Sequence, residues 1–373
     1  MAEPCPRCGA ADVPGDRCPQ CGVVVALYRA SLDKLRRGPA APVDGPPVAA
    51  TPAAPSASTG PAMRRLTFHG SATGLFGICA VNALLTLLTL GVFFFWAKTR
   101  VRRYVMGESE LEGDRFAYHG TGGELLVGFL KGVAVFFVPV ALLAILPALY
   151  QAPEEIQASL RGLLWLIGLL MVPVAMVGAR RYRLSRTSWR GIRFSFRGRV
   201  RSFVGLFVVG TILTSLTLGL YYPVFATQKQ AFMVSQAYFG SRKFEFDGRG
   251  RDLVKPFLLM LLLFLPTLGL AWFWFAAHRQ RYFTAHTRFG ATRFRSTVTG
   301  GPLAWLQITN VLAVVASLGL LWPWTVVRSV RFGMRFLFLL GPLDVSEVYQ
   351  DTRAASAVGE GLAGLLDADF GVS

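Results

Sequence analysis

Apolar positions along the chain gather into six long runs, 75–97, 125–150, 162–179, 203–227, 257–277 and 303–327. Each reaches the length of about 18 apolar residues at which a membrane helix becomes the natural reading. Between the runs the pattern changes period. Phe194-Ser195-Phe196-Arg197 and Phe244-Glu245-Phe246-Asp247 alternate apolar and polar side chains, the signature of a half-buried strand. Similar fragments lie near residues 66, 116 and 294. A basic, aromatic helix end precedes these fragments and closes on Tyr104, Tyr182, Phe232, Tyr282 and Phe332, spaced by 78, 50, 50 and 50 residues. Self-similarity at a fixed period marks a chain built from copied units. The pattern therefore predicts an all-helical polytopic membrane body of about five ~50-residue repeats, each a helical hairpin plus a short cytoplasmic β-strand.

Composition sharpens this reading. The chain is 53% hydrophobic and 16% charged, whereas soluble domains run nearer a quarter charged. The formal net charge of +18 points to orientation and to anionic lipid headgroups, and no nucleic-acid-binding motif accompanies it. Six plain crossings would leave loops 98–124, 180–202 and 279–302 opposite the N-terminus, with five, nine and five basic residues outside. That conflicts with the tendency of cations to stay in the cytoplasm. Hairpins that enter and leave on one face remove the conflict. Their tips would fall at the threonine-leucine-glycine or serine-leucine-glycine turns ending in Gly91, Gly219, Gly269 and Gly319. Single crossings remain open on length alone, since each run suffices for one span.

The segment N-A-L-L-T-L-L-T-L-G-V-F-F-F-W-A-K-T-R-V-R-R-Y at 82–104, followed by F-A-Y-H-G-T-G-G-E-L at 116–125, resembles the YjgN family of bacterial inner-membrane proteins. The resemblance covers about 64–345. It implies a multispanning protein of the bacterial cytoplasmic membrane without an assigned activity, and it carries over no catalytic or binding residue.

The most specific motif is N-terminal. Cys5, Cys8, Cys18 and Cys21 form two C-x-x-C knuckles nine residues apart, a spacing suited to one tetrahedral structural Zn²⁺. Thiolates holding zinc imply a reducing compartment, so this end is expected in the cytoplasm. The expected divisions are a zinc ribbon at 1–22, a basic segment and Ala/Pro-rich linker at 23–63, the membrane body at 64–340 and an acidic tail at 341–373. No secretory signal opens residues 1–60. Within the body, Asn82 and Asn310 occupy equivalent intramembrane places; amides there mainly bond across helices. Arg102, Arg103, Arg180, Arg181, Arg281 and Arg331 form cationic rows that either orient the chain or contact anionic lipid. No nucleophile–base pair, nucleotide loop or deep membrane acid is present, which disfavours an enzyme or a proton-coupled transporter. Two functions stay open: transport or lipid handling, and a non-catalytic scaffold recruiting a protein partner through the zinc ribbon or the acidic tail.

Overall fold

The structure, a computed structural model, describes residues 63–151, 153–343, 345, 348 and 349. The four N-terminal cysteines and most of the acidic tail lie outside these residues.

The first run splits into α1 (Ala72–Leu88) and α2 (Phe94–Gly107). Later runs split the same way: α6 (Val200–Leu216) and α7 (Tyr222–Ser235), α8 (Val254–Phe264) and α9 (Ala271–Ala285), α10 (Gly300–Ala316) and α11 (Trp322–Arg335). A longer hairpin climbs through α3 (Gly122–Gly132), a π-turn (Val133–Phe137) and α4 (Val138–Leu149). It returns along α5 (Glu154–Ser185). Each helix packs on its sequence neighbour, and α11 packs back on α1, so the helices form a ring.

Strands link the hairpins at one end. They are β1 (Met63–Phe68), β2 (Ser109–Leu111), β3 (Asp114–Tyr118), β4 (Thr187–Trp189), β5 (Ile192–Phe196), β6 (Ala237–Phe239), β7 (Arg242–Lys243), β8 (Glu245–Phe246), β9 (Thr287–Phe289), β10 (Thr292–Ser296) and β11 (Leu337–Leu340). They make one antiparallel 11-stranded sheet in the order β7-β6-β5-β4-β3-β2-β1-β11-β10-β9-β8. Its two ends are consecutive segments of chain. Phe244 sits between them and donates its N–H to the Ala237 carbonyl at 2.9 Å, so the sheet comes round on itself as a barrel-like ring. The longer strands divide their pairing. Residues 63–65 of β1 pair with β11, and residues 66–68 pair with β2. β3 and β5 likewise bond one neighbour with their first half and the next with their second. The β2–β3 turn at Glu112-Gly113 and the β4–β5 turn at Arg190-Gly191 have positive φ at both residues, the two-residue turn whose twist matches the strands it joins.

The ring is filled, not hollow. Leu111, Trp189, Phe239, Phe289 and Leu339 are buried in one cluster, flanked by Leu66, Phe116, Phe194, Phe244 and Phe294. Phe194 and Phe239 stand 4.8 Å apart between centroids, and Phe244 and Phe289 stand 4.9 Å apart. Leu343, Val345 and Val348, from the start of the tail, join the same cluster.

This corrects the expected fold class. The body is not an all-helical polytopic bundle carrying one short strand per unit; its strands come in pairs and unite in a single barrel-like sheet. Among the described residues, two helical stretches, Gly122–Ile145 and Glu154–Ser185, are long and apolar enough to cross a bilayer. The error has a physical source. Three-residue strands such as Ser109–Leu111 show no usable alternation, and the bond between β1 and β11 joins residues about 275 apart. Four of the six apolar runs are broken by a turn into two short helices, so their length in sequence overstates the length of any one helix.

Candidate membrane-facing site

Four turns join the shorter helices: Thr89-Leu90-Gly91, Thr217-Leu218-Gly219, Thr267-Leu268-Gly269 and Ser317-Leu318-Gly319. In the second, Gly219 N–H donates to Thr214 O at 2.7 Å and Leu218 N–H donates to Ser215 O at 3.1 Å. These two bonds close a helix in the Schellman manner, which places Leu218 at the left-handed position that usually holds glycine. Leu90, Leu218, Leu268 and Leu318 have φ of 51°, 49°, 49° and 49°. Holding a leucine there costs about 1 kcal/mol. Their side chains are nevertheless 94%, 94%, 93% and 94% exposed. A strained backbone that presents a bare leucine four times is explained by a need for the side chain.

The turn also satisfies its own backbone. Thr217 Oγ1 donates to Leu213 O at 2.7 Å and accepts the Tyr221 N–H at 3.0 Å. Thr89, Thr267 and Ser317 accept the N–H of Phe93, Ala271 and Leu321 at 2.9, 3.0 and 3.0 Å. The hydroxyl thus ends one helix and starts the next. In hydrocarbon, where no water can bond a stray amide, such closure is a requirement.

Toward the sheet the surface turns basic. Arg328 lies over Trp324 at 5.1 Å, Lys229 over Phe225 at 4.4 Å and Arg100 over Phe93 at 4.9 Å. Asn82 and Asn310 hold two of these cations. Arg328 Nη1 donates to Asn310 Oδ1 at 3.1 Å and to Thr309 Oγ1 at 2.6 Å, while Asn310 Nδ2 donates to Ser329 Oγ at 3.0 Å. Arg100 Nη1 donates to Asn82 Oδ1 at 3.4 Å. The two amides act within their own hairpins and fix an arginine at the edge of the apolar zone.

The candidate arginines divide by role. Arg103, Arg181 and Arg331 donate to the carbonyls of Gly120, Gly198 and Gly70 at 3.3, 2.8 and 3.0 Å. Each thereby closes the turn between a strand and the next helix. Arg281 is half-buried on α9, and Arg102 and Arg180 have buried guanidinium nitrogens. The structure does not gather the six into one cluster. Sequence reasoning missed the tyrosine clamps. Tyr104 Oη accepts the Ser71 N–H at 2.8 Å, and Tyr282 Oη accepts the Arg249 N–H at 2.6 Å, each tying the two ends of a hairpin together at its base. The 33-residue separation within both pairs was the available signal. A second missed contact is the pair formed by Arg186 and the Glu124 carboxylate, at 3.0 and 3.1 Å, with Tyr182 Oη donating to the same group.

Apolar tips with self-satisfied backbones, bounded by cations, define a membrane-seated protein of helical hairpins on a β-ring. The chain belongs to the family described as bacterial protein of unknown function (DUF898), whose model matches residues 63–273 and 256–365. It is similar to the inner membrane protein YjgN of Escherichia coli K12, 35% identical over 152 residues, which are 41% of this chain and 36% of that protein. It is also 29% identical over 173 residues to the inner membrane protein YjgN of Salmonella typhimurium, covering 43% of this chain and 41% of that one. The matched stretch therefore spans well under half the length of these curated relatives. Their inner-membrane assignment supports the same placement for this chain. No solved structure matches.

Proposed function

We propose that this protein is a non-catalytic lipid-binding platform of the bacterial inner membrane, with its β-ring on the cytoplasmic side and its hairpin tips in the bilayer. The observation that carries the reading is the set of four leucines in left-handed backbone, almost wholly exposed. Depth follows from helix geometry. About ten residues separate Leu90 from Arg100 and Leu318 from Arg328, a rise of roughly 15 Å. That is half of a hydrocarbon core about 30 Å thick. The four short hairpins then dip through one leaflet and return, while the long hairpin crosses and puts Glu154 and Glu155 on the far side. In this arrangement the arginine-rich segments share the cytoplasmic face, in accord with the charge bias.

The packed cluster within the sheet favours a platform over a conduit, because Trp189, Phe239 and Phe289 are buried against one another there. Recruitment of a protein partner then belongs to the N-terminal cysteines, proposed to bind one structural zinc, and to the acidic tail. The basic belt is proposed to meet anionic lipids. The test is flotation of the purified full-length chain with vesicles of defined lipid, combined with metal analysis. Binding that rises with anionic lipid, and one zinc per chain lost in a Cys5→Ser, Cys18→Ser variant, are expected. Equal flotation on neutral vesicles would remove the lipid-belt reading, and unchanged zinc content would remove the ribbon.

A further inference from the structure

One repeat in the ring lacks the arginine that Arg103, Arg181, Arg281 and Arg331 supply in the others. Arg331, Arg103 and Arg181 each fill the space beside a strand-to-helix turn and bond the carbonyl of Gly70, Gly120 or Gly198. The same position on α7 is Ala231, facing Gly248. A methyl group donates nothing, and an open groove of about 760 Å³ takes the place of the guanidinium. Tyr221, Val224, Gln228 and Ala231 line it along one face of α7, a stretch of roughly 15 Å. Gly248 and the segment Arg249–Asp252 close its base. On the side toward the next hairpin, α7 packs on the 3-10 turn Gly250–Leu253 and makes only slight contact with α8. Gly250 is what allows the close seat, since a Cβ there would stand 2.6 Å from Val224 Cα. The groove therefore has a polar floor at the level of the basic belt and runs toward the apolar tip at Leu218.

We propose that this groove binds the headgroup of a phospholipid carrying a primary amine, namely phosphatidylethanolamine; the proposal rests on the membrane placement argued above. The ammonium replaces the missing guanidinium at the Gly248 carbonyl, with the Asp252 carboxylate on the same wall. Asp252 Oδ2 lies 2.6 Å from Tyr282 Oη, which holds it in place. Arg249 and Arg251, both exposed at the rim, meet the phosphate. The acyl chains follow α7 toward the bilayer interior, past the exposed Leu258, Leu259 and Leu262 of α8. A quaternary choline headgroup has no N–H to offer the carbonyl, so phosphatidylcholine is excluded by the chemistry that admits the amine.

The experiment uses the full chain in nanodiscs or detergent, with bound lipid read by native mass spectrometry. Ala231→Arg installs the side chain that the four equivalent positions already carry and so retains the fold. Phosphatidylethanolamine is expected to stay bound through exchange into lipid-free detergent, and its occupancy to fall at least tenfold in A231R. Phosphatidylcholine and soluble glycerophosphoethanolamine are expected not to restore occupancy, which separates a lipid site from a free-amine site. Gln228→Trp, an exposed residue on the groove wall, is the second block if A231R misfolds. Equal retention in both variants, or equal binding of phosphatidylcholine, would overturn the proposal. Tryptophan quenching by brominated lipid, measured in parallel, reports membrane placement independently. Quenching without selective lipid retention rejects the site alone, whereas loss of quenching in the parent chain rejects the placement.

Discussion

The tips offer the sharpest perturbation. Replacing Leu90, Leu218, Leu268 and Leu318 by Asp puts a charge where the bilayer reading places hydrocarbon. Leucine favours the membrane centre by about 0.5 kcal/mol and Asp disfavours it by about 3 kcal/mol, so each swap costs about 3.5 kcal/mol. One tip then loses a factor of several hundred in its insertion equilibrium. All four together lose on the order of 14 kcal/mol. The long hairpin is untouched, so the variant stays in the membrane while its short hairpins withdraw. Native reporters are in place: Trp272 and Trp324 lie within six residues of the leucines at 268 and 318 and are partly exposed. In a chain whose other tryptophans are replaced by phenylalanine, lipids brominated at mid-chain are expected to quench these two and to lose most of that quenching in the fourfold variant. A Leu→Met set, apolar and similar in size, keeps it. Equal quenching in the aspartate and parent chains would show that the tips never met lipid.

Three other perturbations address the packing beneath the tips. Phe239→Ala empties the middle of the ring, beside Phe194, Trp189 and Phe289, and is expected to cost about 3–5 kcal/mol in chemical denaturation. Tyr104→Phe removes only the hydroxyl bonded to Ser71; a loss of about 1 kcal/mol, with faster hydrogen exchange at the start of α1, is expected. The third concerns pH. Partial burial raises the Asp247 carboxyl somewhat, but its hydrogen bond to His286 and the charge of Arg288 bring it below the ordinary carboxylate range. A lowered folded pKa contributes stability above the unfolded value, near 4, and loses it as pH falls through the folded value. The side chain is 46% exposed, so solvent screening holds the effect below about 1 kcal/mol. Asp247→Asn should therefore narrow the gap between melting temperatures measured at pH 6 and pH 3.

How much of this was legible follows from the range of each interaction. The turns ending in Gly91, Gly219, Gly269 and Gly319 were visible because Thr or Ser, Leu and Gly lie side by side, and the chain reverses there. Half of the strands were visible where Phe194 and Phe244 alternate with polar neighbours. Their partners at 109–111, 187–189 and 237–239 were not, since three residues after a helix carry no period. The closed sheet depends on residue 63 meeting residue 340, a pairing that no local pattern encodes. Arg103, Arg181 and Arg331 were conspicuous as charge, but their acceptors are backbone carbonyls, which leave no mark in a sequence. The groove beside Ala231 became visible only once Arg103, Arg181 and Arg331 had shown what the position normally does.

In the proposed arrangement the hairpins leave the β-ring and return to it on one side of the membrane. Single cysteines at Asp114, Arg190, Arg242 and Ala291, all exposed at the strand turns, test it in a chain with its native cysteines replaced. An impermeant thiol reagent applied to intact spheroplasts and to inverted vesicles reads the side of each position. All four are expected to stay unlabelled in spheroplasts and to label in inverted vesicles. Labelling that alternates from one turn to the next would show instead that each hairpin crosses the membrane.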